Sequence, residues 1–464
     1  MRLGSYAGVV ALSLIPVALL TRYLGPARFS QYTTVISLVT VVATVTDVGM
    51  SNLAIRDYAT LERATREERM QDLLGLRVAL TVCGLVLAVV FAALAGYDPA
   101  LLAGTIVASL ATVALVLQHT LSIPLAAELR LGSLSLLDLL RQALTVIALV
   151  ALVLLKAGLF PLLAVTLFVY ILLLPLTAAL VRGQISLRMQ LRPRVWASLL
   201  KVTVSFSLAT AVGAIYVYTA QILTSLMASP HQSGLFAAAF RVFIATATVP
   251  GLLAGGALPL LARTARNDRE RLSYALQRVF EASLILGVAA ALGIATGAPF
   301  IIAVVAGPKY AAAAGALRLL GLALAASFLV AGWGFALVSL ERYRGLLLVN
   351  AAAFLVSGGL TLLLAGPHGA QGVGLAMLCS EVTLAAGYLL VLVRGHRELR
   401  PRLTVVPKVA LAATPAVVLA LVLGLGSFLR TVLVLLVYGL LIAATRTIPR
   451  EVIELIPRPG RAHG

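Results

Sequence analysis

The chain has 464 residues, 61% hydrophobic and only 11% charged, with a formal charge of +19 and a mean hydropathy of +1.05. Soluble domains carry about 25% charged residues, and a single soluble core stops growing long before it could hide this much apolar surface. The composition excludes a soluble enzyme or binding domain and predicts an all-α, polytopic membrane protein.

Runs of about 20 apolar residues are long enough to cross a hydrocarbon core of about 30 Å. In chain order they fall near 3–24, 29–52, 73–95, 100–122, 133–155, 159–181, 197–226, 234–261, 279–304, 311–339, 345–365, 370–393, 406–426 and 428–446. That is about 14 transmembrane helices. The first run, MRLGSYAGVVALSLIPVALL, has one Arg and no small-residue cleavage site, so it reads as a retained helix and not as a signal peptide. After it, TRYLGPARFSQY places Gly25-Pro26 between two spans. Proline lacks an amide proton and clashes with the preceding turn, so the helix stops there.

Charge fixes the expected orientation. With the N-terminus inside, the inner loops collect most of the 36 Lys and Arg, from Arg56, Arg63, Arg66, Arg69 and Arg77 to the tail's Arg446, Arg450, Arg458 and Arg461. The outer side receives Arg22, Arg28, Lys156, Lys309 and Arg430, while Arg241 and Arg318 lie within spans. This is the positive-inside pattern. It predicts an inner (cytoplasmic) cell membrane protein with both termini cytoplasmic, and it explains the basic excess without nucleic acid. The stretch 56–77 reads as helical, dense in both charge signs and cytoplasmic.

The sequence carries no phosphate loop, HExxH or serine nucleophile elbow. Cys83 and Cys379 fall inside apolar runs and show no metal or disulfide spacing. No long soluble segment is available to hold a catalytic domain. The expectation is therefore a non-enzyme with no cofactor and no metal.

A shift that lays Pro26 on Pro230 also lays Ala43-Thr44-Val45 on Ala247-Thr248-Val249, and spans 1–2 on spans 7–8. Six helices per repeat is an even number, so the halves run parallel, an arrangement that puts the substrate site between them. The expected organisation is an N-lobe at 1–182, a cytoplasmic linker at 183–196, a C-lobe at 197–394, and two extra C-terminal helices with a tail at 395–464.

Polar residues inside the spans are patterned. Thr33, Ser37, Thr40, Thr44, Asp47 and Ser51 recur at alternating spacings of four and three, which puts all six on one helix face. Ser and Thr often bond back to their own helix or join helices, but an intramembrane carboxylate costs roughly 2.5–3.5 kcal/mol. A cavity-lining face is the stronger reading. In span 7, Ser207, Thr210, Tyr218, Gln221 and Ser225 share a face, and the shift lays Arg241 on Ser37. Arg241 thus belongs to a polar face, deep for a snorkelling side chain. Arg22 ends span 1 on the outside, where snorkelling is the competing reading. Asp138 and Arg141 are spaced to pair, Glu381 is a deep carboxyl of span 12, and His119 reads as a group satisfying the kink before Pro124.

Four stretches carry a resemblance. They are TRYLGPARFSQYTTVISLVTVVATVTDVGMSNLAIRDYA, SGLFAAAFRVFIATATVPGLLAGGALPLLAR, VVAGPKYAAAAGALRLLGLALAASFLVAG and GPHGAQGVGLAMLCSE. In this order they resemble the polysaccharide-unit flippases of the multidrug/oligosaccharidyl-lipid/polysaccharide exporter superfamily. The resemblance implies a V-shaped pair of six-helix lobes that open alternately inward and outward. It implies a lipid-linked oligosaccharide substrate, on undecaprenyl pyrophosphate, carried from the cytoplasmic to the outer leaflet. Membrane lipids, a polysaccharide polymerase and glycosyltransferases of the same pathway would be the partners. Arg241 and Arg22 would hold the pyrophosphate, and the polar faces described above add Gln221, Tyr218, Thr44, Thr40 and Ser37 as candidate substrate ligands. Many relatives carry an acid in span 7 where this chain has Gln221, which moves ion coupling to Asp47 and Glu381. Two other readings compete. A multidrug exporter of the same superfamily would expel hydrophobic cations and present a carboxylate-rich cavity. A membrane-embedded polymerase would need a large outer loop, and every expected outer loop is short.

Overall fold

In the computed structural model, the described residues are 2–47, 50–184, 189–267, 269–394 and 399–445. The side chains of Ser207 and Thr210, Val48 and Gly49, and the basic tail from Arg446 lie outside the described residues. The first half of the chain forms α1 (Arg2–Asp47), α2 (Met50–Thr60), α3 (Arg63–Leu94), α4 (Pro99–Leu121), α5 (Ile123–Ala127), α6 (Leu131–Leu154) and α7 (Leu159–Leu180). There follow α8 (Pro193–Met227), α9 (Pro230–Asn267), α10 (Arg269–Val305), α11 (Ala313–Ser339), α12 (Tyr343–Val393), α13 (Val405–Val422) and α14 (Ser427–Ala444). Among the described residues there is no strand, so the expected all-α class stands.

Two of these helices are each a pair. Inside α1, Gly25 turns the chain with φ 69° and ψ 172°. Inside α12, Gly369 does so with φ 53° and ψ −136°. Both lie in a region that only glycine enters cheaply, and both fall at the expected boundaries between spans. Eleven helices among the described residues are long and apolar enough to cross a membrane, with α1 and α12 each counted once. The stretch 56–77 is helical, as expected, in two pieces. It breaks at Leu61–Glu62, where Glu62 takes an extended φ/ψ of −64° and 153° as the residue preceding α3.

The packing forms two compact units. One comprises Met1–Ala237 with Thr361–Gly369, the other Ala238–Leu360 with Ala370–Gly464. In the first, Val35 and Val39 of α1 meet Leu85 of α3, Leu101 and Ala108 of α4 and Leu163 of α7. Leu38 packs with Ala88, Ala92 and, from α8, Ile222. In the second, Phe280 of α10 stacks on Trp333 of α11 with ring centres 6.0 Å apart. The two arms of α12 meet through Gly345 against Val391 and Gly387 against Val349.

The distribution of side chains is that of a membrane protein. Large apolar residues point outward, Phe168 being 76% exposed and Leu421 81%, while Thr105, Thr177, Thr361 and Ser380 are wholly buried. Many buried hydroxyls donate to backbone carbonyls of their own helix, as Thr105 does to Leu101 and Thr177 to Leu173, at 2.9 Å each, whereas those of Thr34, Ser109 and Thr361 have no hydrogen-bond partner. In lipid such internal bonds stand in for those that water would otherwise make.

Candidate functional site

The Gly25-Pro26 turn sits against the start of α9. A Cβ on Gly234 would fall 2.0 Å from the Pro26 carbonyl oxygen, so the two backbones touch with no side chain between them. Small residues permit such an approach. Beside this contact Ser30 Oγ donates to Ser233 Oγ at 2.8 Å, and Gln221 Nε2 donates to the same Ser233 oxygen at 3.2 Å. All three are buried. In the repeat register Pro26 corresponds to Pro230 and Ser30 to Gly234. Gln221, an expected substrate ligand, is 1% exposed; its amide nitrogen is used at this junction, while its Oε1 is buried with no hydrogen-bond partner.

The polar face of the second span separates into two parts. Thr33 and Ser37 are buried at 1% and 2% exposure. Thr40 and Thr44 are half-buried and donate back to Ile36 O at 2.6 Å and Thr40 O at 2.8 Å. Their donors are used, so what they present outward is oxygen lone pairs, which suit a sugar hydroxyl better than a phosphate. Asp47 does not stand alone. Arg77 Nη2 donates to Asp47 Oδ1 at 2.6 Å and to Ser51 Oγ at 3.1 Å, and Ser51 Oγ donates to Asp47 Oδ1 at 2.7 Å. Arg77 is 3% exposed and Asp47 35%, so the carboxylate covers a buried guanidinium. Arg77 Nε and Nη1 are buried with no acceptor.

Arg241 lies about 16 Å along α9 from Pro230, at 1.5 Å per residue. It is half-buried on a helix that is otherwise buried from Ser233 to Phe240. Among the described residues no carboxylate pairs with it. Phe240 and Phe243, stacked 6.2 Å apart, flank it in sequence. Tyr218 of α8 is half-buried, whereas Arg22 and Arg28 are exposed at the first turn. In the second unit Glu381 is 4% exposed and accepts from Ser327 Oγ at 2.9 Å. Asp138 and Arg141 pair as their spacing predicts, at 3.5 Å.

Sequence reading placed Arg77 among loop arginines and missed its role as the partner of Asp47. A signal existed in QDLLGLRVALTV, where the arginine is already flanked by apolar residues on both sides. It also missed the Ser30–Ser233–Gln221 junction. The repeat register had already aligned its two strands of sequence, but nothing local marks which small residue will touch which carbonyl.

Residues 19–315 match the family described as polysaccharide biosynthesis protein, and the chain belongs to that family. A search of curated protein sequences returned no relative. Among solved structures, the lipid II flippase MurJ in an inward closed conformation is similar with a TM-score of 0.80 at 14% identity, covering 98% of this chain and 100% of that one. An inward-facing multidrug resistance MATE family transporter of the MOP superfamily gives 0.65 at 15% identity, covering 84% and 95%. A MOP superfamily transporter from Pyrococcus furiosus, whose binding pocket is described as having reverse polarity, gives 0.55 at 16%, covering 84% and 95%. At these identities the likeness shows the fold. It is the MurJ/MATE-like transporter fold of a multi-pass membrane protein.

Proposed function

We propose that this polysaccharide biosynthesis family member is a flippase that carries a lipid-linked oligosaccharide, on undecaprenyl pyrophosphate, from the cytoplasmic to the outer leaflet by alternating access. Fourteen spans, two parallel six-helix lobes at 1–182 and 197–394 and cytoplasmic termini complete the proposal. The observation that carries it is the state of the intramembrane charges. Asp47 is paired with Arg77 and Glu381 is held by Ser327, whereas Arg241 is half-buried with no carboxylate partner among the described residues. Intramembrane charges in that state favour an anionic substrate. The rival exporter of hydrophobic cations needs carboxylates open to its substrate.

Arginine suits the task. Its planar fork makes bidentate, charge-assisted bonds to phosphate, and its weak hydration fits a partly dry cavity. Arg241 holds the pyrophosphate, Arg22 receives it at the outer mouth beside the Gly25-Pro26 turn, and Thr40, Thr44 and Tyr218 accept sugar hydroxyls. Asp47 and Glu381 are the ion-coupling carboxyls in this scheme. Two negative charges moving outward across 100 mV, inside negative, gain about 4–5 kcal/mol. A polymerase and glycosyltransferases of the same pathway would consume and supply the substrate.

The binding test uses purified protein in detergent with a polyprenyl pyrophosphate oligosaccharide and its uncharged polyprenol analogue. Wild type should favour the pyrophosphate, and Arg241→Ala should weaken its binding by about tenfold or more, as the loss of one charge-assisted contact implies. Arg22→Ala should bind nearly as wild type, because that residue acts at release. Equal binding of both ligands by wild type would contradict the anionic assignment.

A further inference from the structure

A second polar site lies in the first unit, away from the residues discussed so far. Asp57 of α2, Glu68, Arg69 and Asp72 of α3 and Arg192, just before α8, line an open cavity of about 360 Å³ with Val195. Its floor is a carboxylate with one oxygen that no donor meets. Asp72 is 3% exposed, its Oδ1 is buried with no hydrogen-bond partner, and the nearest cation, Arg192 Nη1, stands 3.9 Å from Oδ2. A buried carboxylate left so is costly, and a ligand bearing N–H donors removes the cost.

The rim is basic and better exposed. Arg69 uses its Nε on Asp57 Oδ2 at 3.2 Å, and Arg192 uses Nη1 on Glu68. Each guanidinium has five donors, so both retain several for an anion. Asp57 also holds Arg56 at 2.9 Å. Counting Arg56, which pairs with Asp57 from outside the lining, three carboxylates are balanced by three arginines, and a bare cation would leave the site with an excess positive charge. A zwitterion leaves it neutral, with its cationic end on Asp72 and its anionic end on Arg69 and Arg192. The location selects which zwitterion. Asp72 is the last residue of RATREERMQD before the apolar run LLGLRVALTVCGLVLAVV, the level at which headgroups lie.

We propose that this cavity binds the phosphoethanolamine headgroup of an aminophospholipid, its primary ammonium donating to Asp72 and its phosphodiester resting on Arg192 and Arg69. The inference stands independently of the flippase reading. A quaternary ammonium has no N–H to give, so a choline headgroup satisfies the rim and leaves the floor unmet.

The test is lipid retention on the full-length protein, read by native mass spectrometry and by thermal unfolding in nanodiscs. The probes are phosphatidylethanolamine or phosphatidylcholine, each mixed with the same phosphatidylglycerol background. Wild type should retain phosphatidylethanolamine about tenfold better than phosphatidylcholine, one charge-assisted contact's worth. Asp72→Asn should abolish that preference, and Arg192→Gln should weaken retention of both lipids. Should Asp72→Asn fail to fold, the wild-type comparison and Arg192→Gln decide the matter. Equal retention of the two lipids by wild type, or an intact preference in a folded Asp72→Asn, overturns the proposal. So does competition by soluble O-phosphoethanolamine with no discrimination between the lipids.

Discussion

Gly234→Val should be among the most damaging single substitutions in the chain. The new Cβ would stand 2.0 Å from the Pro26 carbonyl oxygen and 2.5 Å from its carbonyl carbon. Those are backbone atoms, so no rotamer change relieves the clash, and α9 must move away from the first turn. Overpacking of this kind costs about 1–3 kcal/mol, occasionally more. Separation would also break the Ser30–Ser233 and Gln221–Ser233 bonds and strand buried hydroxyls, at about 1–3 kcal/mol for each unmet group. The expected result is a marked fall in the thermal unfolding midpoint of purified protein. Gly359→Ala is the control, because nothing lies within 4 Å of its would-be Cβ. Replacing a mid-helix glycine there should be neutral or stabilising by up to about 1 kcal/mol. If both variants unfold alike, the close contact at Pro26 does not exist.

Asp47→Ala should destabilise the protein more than Arg77→Met, although the two residues form one ion pair. The asymmetry follows from burial. Arg77 is 3% exposed and already has two nitrogens without acceptors. Deleting Asp47 would leave a buried charge uncompensated, at about 3–5 kcal/mol. Deleting Arg77 instead leaves Asp47, at 35% exposure and still accepting from Ser51, so the loss is smaller. The double variant, Asp47→Ala with Arg77→Met, should recover much of the stability, because replacing a whole buried pair is often neutral or better. Thermal unfolding of the four proteins in one detergent reads the cycle. A larger loss in Arg77→Met than in Asp47→Ala would mean that the guanidinium is not the buried member.

Much of the fold was legible because the bilayer imposes simple rules. The apolar runs gave the helices, and Gly25-Pro26 marked a real break, since proline chemistry and a positive φ are local properties. The ion pair at Asp138 and Arg141 was readable from a spacing of three on one helix. What was not legible depends on partners distant in sequence. Asp47 was singled out for its cost in a span, but its partner lies on another helix, and no local pattern names Arg77. Gln221 was expected to face substrate because it shares a helix face with Tyr218 and Ser225. The structure turns it to Ser233 instead, since a buried amide needs an acceptor and Ser233 supplies one. The break at Leu61–Glu62 was hidden because both flanks are charged and helix-forming, leaving no apolar periodicity to lose.

The central claim is that an anionic lipid-linked sugar crosses through this protein, and leaflet exchange tests it most directly. Purified wild type in liposomes, given a fluorescent undecaprenyl-pyrophosphate oligosaccharide, should move it between leaflets, and Arg241→Ala should lose that exchange while unfolding at an unchanged temperature. Folded wild type that exchanges none of several such sugars under a membrane potential, inside negative, but expels hydrophobic cations, would contradict the account and establish the exporter in its place.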